Sequence, residues 1–271
     1  MRKLLLGCLL LCLLPSLASA ELQLEGELRQ GGLVYGRLAE GDQIYLNGNR
    51  VALLDDGRFI LGFGRDAVAQ HRLTWISSDG SRHSRTLRIQ PRDYQIQRIN
   101  GISSQMLNPS PDDLERIGEE AEQVAQARRQ SSTTEHPFSR FRWPLNGPIT
   151  GVYGSQRILN GEPRRPHFGI DIAAPTGTPV RAPAGGRVTL AHSGMFFSGG
   201  TLIIDHGLGL SSSFLHLNRI LVKVGEQVTP GQKIATVGAT GRVTGPHLDW
   251  RINWFDQRLD PALLVPPMPE Q

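Results

Sequence analysis

Turn dipeptides cut this chain into pieces too short for helices over most of its length. Gln43-Ile44-Tyr45-Leu46 runs into Asn47-Gly48-Asn49, Leu53-Leu54 into Asp55-Asp56-Gly57, and Trp75-Ile76-Ser77-Ser78 into Asp79-Gly80. Asn-Gly and Asp-Gly adopt the positive φ angles that tight hairpins need, so each marks a reversal between antiparallel strands. Strands at this spacing predict a small β-sandwich-like accessory domain over residues 21–102. From Phe141 onward Gly and Pro still punctuate the chain, and strands are predicted at 169–173, 186–191, 201–205, 212–217, 233–237 and 248–254. The fold class is mainly β, with a second all-β domain over 136–271.

One stretch departs from this pattern. Ser110-Pro111-Asp112-Asp113 offers a cap residue, proline in the first turn and acids at the positive end of the dipole. Leu114, Ile117, Ala121, Val124 and Ala125 then form one narrow apolar stripe that ends at Arg128-Arg129. Residues 103–135 therefore read as a helical connector lying on a neighbouring domain. Its tail, Gln130 to Thr134, has the composition of a flexible hinge, so a chain begun near Phe138 is expected to fold by itself.

The first residues bear on location. Met1-Arg2-Lys3, the apolar run Leu4 to Leu14 and Ala18-Ser19-Ala20 match a secretory signal peptide over 1–20, cleaved after Ala20. Both cysteines, Cys8 and Cys12, fall inside it, which leaves the mature chain without disulfide or thiol chemistry. No later apolar run reaches membrane-spanning length. The expected location is the periplasm or the cell envelope. Residues 21–135 carry 14 Arg/Lys against 17 Asp/Glu, and 136–271 carry 13 against 8. A mildly basic C-terminal half suits an acidic polymer. With no dense basic run interleaved with aromatics, nucleic acid is not implied.

Five of the eight histidines lie between positions 167 and 247. His167 and Asp171 are four residues apart, His216 ends Ser-Phe-Leu-His, and His247 and Asp249 are separated by one leucine. In a strand, residues i and i+2 point to one face, so His247 and Asp249 converge. Such a pair can be part of a metal site, an acid/base pair or a solvated strand face. His71, His83, His136, His192 and His206 have no partner at ligand spacing and read as strand, turn or hinge residues.

The order of motifs resembles one family. W-P-L-N-G-P-I-T-G-V-Y-G, P-H-F-G-I-D-I-A-A-P, I-I-D-H-G, S-F-L-H-L and the glycine-rich run to T-G-P-H-L are similar to the LytM/lysostaphin-type zinc endopeptidases of peptidoglycan, family M23. The resemblance spans Phe141 to Pro261 and implies their all-β duplicated hybrid motif fold. It also implies one zinc ion per chain, bound by His167 and Asp171, with His216 and His247 catalytic and a zinc-bound water as nucleophile. The family's last motif is H-x-H, whose second histidine is the third ligand; here that position is Asp249. Zinc accepts carboxylate oxygen, so Asp249 is the expected third ligand, in a set one charge less positive than the family's. On that reading Asp249→His should restore the usual set and remain active.

The implied function is an exported metalloendopeptidase that cuts cross-links or stem peptides of peptidoglycan, with the N-terminal domain free to meet a cell-wall protein partner. The alternative is an inactive LytM-type regulator that activates cell-wall amidases. A third resemblance, of residues 224–235 to biotinyl and lipoyl carriers, fails for want of an acceptor lysine. After the signal, only Lys223 and Lys233 remain, both in strand-like text.

Overall fold

The computed structural model describes residues 22–99, 110–159 and 161–269, so the predicted signal peptide lies outside the described residues. Before the helix come β1 (Gln23–Gly26), β2 (Leu33–Arg37), β3 (Gln43–Leu46), β4 (Asn49–Val51), β5 (Arg58–Gly62), β6 (Gln70–Ile76), β7 (Arg82–Arg88) and β8 (Ile96–Ile99). They build two antiparallel sheets, β1-β2-β5 and β4-β3-β6-β7, while β8 joins a third sheet with later strands. The Asn47-Gly48 hairpin closes β3 onto β4 with both residues at positive φ, 50° and 85°. Ile44, Phe59, Leu61, Leu73 and Leu87 are fully buried, as the alternating pattern requires.

Helix α1 (Pro111–Arg129) begins at Ser110, whose side chain accepts from the Asp113 amide while the Asp113 carboxylate accepts from the Ser110 amide. The helix lies against the large C-terminal sheet, with Glu120 and Ala127 buried. The run 130–134, hinge-like in composition, is fastened to that sheet. Ser132 donates its amide and hydroxyl to Asp205 Oδ2 at 2.9 and 2.6 Å, and Thr134 donates to the His206 carbonyl at 2.8 Å.

The C-terminal strands are β9 (Ile149–Gly151), β10 (Gln156–Leu159), β11 (Glu162–Pro163), β12 (Ile170–Ala173), β13 (Pro179–Arg181), β14 (Gly186–Met195), β15 (Gly199–Gly207), β16 (Leu210–Ile220), β17 (Gln227–Val228), β18 (Lys233–Val237), β19 (His247–Trp254) and β20 (Gln257–Leu259). Ten of them form one sheet whose central path runs β17-β14-β15-β16-β19-β12-β9. All six predicted C-terminal strands are present. The short strands β9, β10, β11, β13, β17 and β20 were not foreseen, being too short to show a period.

The two halves share a core. A Cβ on Gly62 of β5 would stand 2.6 Å from Trp254 Cβ of β19, so only glycine lets the sheets approach this closely. Arg92 pairs with the buried Asp260 at 2.8 Å, and β8 runs parallel to β10 in register Gln156↔Ile96. A chain begun near Phe138 would bare Trp254 and strip Asp260 of its cation. These contacts weigh against an independent C-terminal half, because burial that crosses the boundary does not show in hinge composition.

His206 sits in this core, fully buried. Its Nδ1 lies 2.6 Å from the Gly185 carbonyl and its Nε2 2.7 Å from Ser212 Oγ. A carbonyl only accepts, so Nδ1 carries the proton and Ser212 donates to Nε2. Burial holds the imidazole neutral and lowers its pKa to about 4. The unfolded chain therefore binds this proton more tightly than the folded one. Stability should fall as pH drops from about 6.5 towards 4, by on the order of 3 kcal/mol from this residue. Equilibrium denaturation across that range checks it, and His206→Gln should lack this part of the slope.

Candidate metal centre

β12 and β19 pair antiparallel with Asp171 directly opposite Asp249. Both carboxylates therefore rise from the same face of the sheet. His167, from the segment leading into β12, reaches over them: its Nε2 is 3.1 Å from Asp171 Oδ1 and 3.5 Å from Asp249 Oδ2. His247 Nε2 lies 3.9 Å from Asp171 Oδ1, and its ring centroid is 4.9 Å from that of His216. The structure thus brings His167, Asp171, His216, His247 and Asp249 together from three separate segments.

Main-chain carbonyls set the histidines. His167 Nδ1 faces the Val152 carbonyl at 3.3 Å, His216 Nδ1 that of Thr240 at 2.9 Å, and His247 Nδ1 that of Gly245 at 2.9 Å. Each Nδ1 must donate, so in the neutral form of each ring the lone pair lies on Nε2. His216 is held at φ 64°, a region non-glycine residues seldom adopt, and its amide donates to the Ser198 carbonyl at 2.8 Å. Burial lowers the His216 pKa, which favours the neutral ring.

That segment is braced by α1. Glu120 accepts from the Phe196 amide at 2.7 Å, and Arg116 donates to the Gly194 carbonyl at 2.7 Å. The hairpin that supports His216 is thereby clamped to the helix.

The residues fit a metal ion. One ligand atom from each of His167, Asp171 and Asp249 lies within 4.8 Å of the others. His167 Nε2 and Asp171 Oδ1 are buried and face each other at 3.1 Å without a well-formed hydrogen bond, as ligand atoms awaiting a cation would. Glycine makes the room: a Cβ at Gly169 would meet Asp249 Oδ1, and one at Gly151 would meet Asp171 Oδ2. One imidazole and two carboxylates are a ligand set of the kind found in open zinc sites. Burial alone would lower the His167 pKa, but the two carboxylates outweigh it and push it up to about 10.

One residue of the site escaped the sequence reading. Arg251 grips Asp249, with Nε 3.0 Å from both carboxylate oxygens and Nη2 on Oδ2. Burial would raise the Asp249 pKa, yet Arg251 and His167 hold it well below the usual carboxylate range. The signal was present, since 247, 249 and 251 continue the period of two along one strand face. Arg251 also revises the expected charge. Two carboxylates and one guanidinium carry the same net charge as one carboxylate with two neutral imidazoles, so the deficit expected for Asp249 is cancelled.

The profile described as peptidase family M23 matches residues 165–261. A crystal structure from Pseudomonas aeruginosa, of a protein assigned as an M23 peptidase, is 30% identical. It covers 88% of this chain and 95% of its own, with a TM-score of 0.70. The peptidoglycan DD-endopeptidase ShyA of Vibrio cholerae is 41% identical over 125 residues, which are 46% of this chain and 29% of ShyA. The murein hydrolase activator NlpD of Escherichia coli is 32% identical over 133 residues, 49% of this chain and 33% of NlpD. The chain spans a third or less of the length of these curated relatives.

Two outcomes are expected. Metal loading near pH 7.5 should release about one proton per chain, because His167 must give up the proton the carboxylates hold on it. Calorimetry in buffers of different ionisation enthalpy reads this number; no release would overturn the proton held on a metal-binding His167. Asp249→His alone should not restore the site, because it strips Arg251 of its carboxylate. Its metal affinity should fall about 10–100-fold and recover in part when Arg251→Gln is added, as metal titration would show.

Proposed function

Because the chain belongs to peptidase family M23, we propose that it is an exported zinc metalloendopeptidase that hydrolyses peptide bonds of bacterial peptidoglycan. The observation that carries this reading is the convergence of three metal donors, two with buried unpaired ligand atoms, beside two histidines with committed tautomers. Zinc, when bound, supplies Lewis acidity that polarises the scissile carbonyl.

The chain's own residues do the rest. His167, Asp171 and Asp249 hold the metal and Arg251 keeps Asp249 ionised. His216, buried and neutral with Nε2 unprotonated, takes the proton of the attacking water and returns it to the leaving amine. His247, whose ring lies against that of His216 and whose Nε2 is 3.9 Å from Asp171, shares with His216 the proton transfer and the stabilisation of the tetrahedral intermediate. The likeness to ShyA supports a peptide bond of the wall as substrate. Among the described residues no helix is long and apolar enough to cross a membrane, which accords with an exported envelope protein. The N-terminal domain is then the part left to meet a cell-wall protein partner.

The likeness to NlpD supports the alternative, a non-catalytic activator of cell-wall amidases. A single assay separates the two. Full-length protein incubated with purified peptidoglycan should release new peptide ends. His216→Ala and His247→Ala should keep about one zinc per chain while losing about 100-fold or more in rate. If the wild type frees no peptide ends yet raises the rate of an added amidase, the activator reading replaces the peptidase.

A further inference from the structure

Beyond the metal donors, the same face of β19 continues with Arg251 and Asn253, opposite Ser213 and Ser211 of β16. Over this row the end of α1 lays Arg128, whose Nη2 is 3.5 Å from Ser213 Oγ. Asn253 Nδ2 lies 3.4 Å from that same oxygen, and Arg258 of β20 donates to Asn253 Oδ1 at 2.6 Å. Arg165 and Arg258 both lie against the ring of Phe168, next to His167, at 5.6 and 5.8 Å from its centroid. Ser213, Asn253 and Phe168 thus tie four guanidinium groups into one patch.

Only one of the four is neutralised. Arg251 holds Asp249, whereas Arg128, Arg165 and Arg258 make no salt bridge among the described residues. Arg128 Nε is buried and has no hydrogen-bond partner. Burial first, then the other arginines, lower the Arg128 pKa to about 8 and that of Arg258 to about 10. Like charges gathered this way oppose one another until an anion arrives, and the guanidinium fork matches a carboxylate.

We propose that Arg128, Arg165 and Arg258, gathered beside the Asp249-bound Arg251, form an anion subsite that takes a carboxylate of the cleaved peptide, about two residues from the scissile carbonyl. The spacing follows from the strand, on which Arg251 stands two residues beyond the donor Asp249, about 7 Å away. The assignment of the anion to the substrate rests on the peptidase reading. It makes α1, outside the matched segment 165–261, a contributor to substrate selection.

The test is a binding titration of the full chain carrying His247→Ala, which slows turnover by about 100-fold or more. The probes are a peptidoglycan stem tetrapeptide with free carboxylates and the same peptide amidated. The free form should bind at least about tenfold more tightly, the value of one charge-assisted hydrogen bond. Arg128→Gln and Arg258→Gln should each erase most of that preference while the chain stays folded by circular dichroism, and Arg128→Lys should keep part of it. Arg129→Gln, an exposed neighbour paired with Glu122, should leave it intact. Equal binding of the two peptides, or a preference that survives both glutamine variants, overturns the subsite. An Arg128-dependent preference in a chain that cuts no wall would keep the subsite and sink the peptidase; cutting without preference would do the reverse.

Discussion

Asp171 and Asp249 oppose each other across two hydrogen-bonded strands, a position in which like charges repel. Much of the surrounding architecture answers that repulsion. Arg251 clasps one carboxylate, and His167 leans over both with its Nε2 between them. Gly169 and Gly151 supply the space that lets charged groups sit so close. A divalent ion is the remaining counter-charge that this geometry accepts. Without some cation the strand pairing itself would be under strain, so the site and the sheet are not separable problems.

The helix and the N-terminal strands belong to this architecture. Glu120 and Arg116 fix the hairpin whose Ser198 carbonyl holds the His216 backbone, and β8 pairs with β10 in the segment that precedes His167. A disturbance at the far side of the molecule therefore has two covalent and hydrogen-bonded routes to the histidines.

Much of this was legible in the residues. Asn47-Gly48 specified its hairpin through local φ preferences, and Ser110-Pro111 specified the helix start through unsatisfied amides. His167, Asp171, His216, His247 and Asp249 were legible because their motifs arrive in a known order. What escaped depends on contacts between distant segments. Gly62 looks like any strand-end glycine until Trp254 is placed over it, and hinge-like Ser132 gains its anchor only from Asp205, 73 positions away. Arg251 lay on a visible face, yet a basic residue in an alternating strand has no signature until a carboxylate is seen to need it.

The histidine orientations hold a consequence for how such a site can change over time. Val152, Thr240 and Gly245 contribute their main-chain oxygens, not their side chains, to fix which nitrogen carries the proton. An exchange of amino acid at those positions leaves the acceptor in place, so the proton inventory is insulated from ordinary point substitution. Insertions and deletions are another matter, since a loop altered by one residue moves the oxygen itself. Chains built on this plan can vary freely in the spelling of these loops while remaining intolerant of changes in their length.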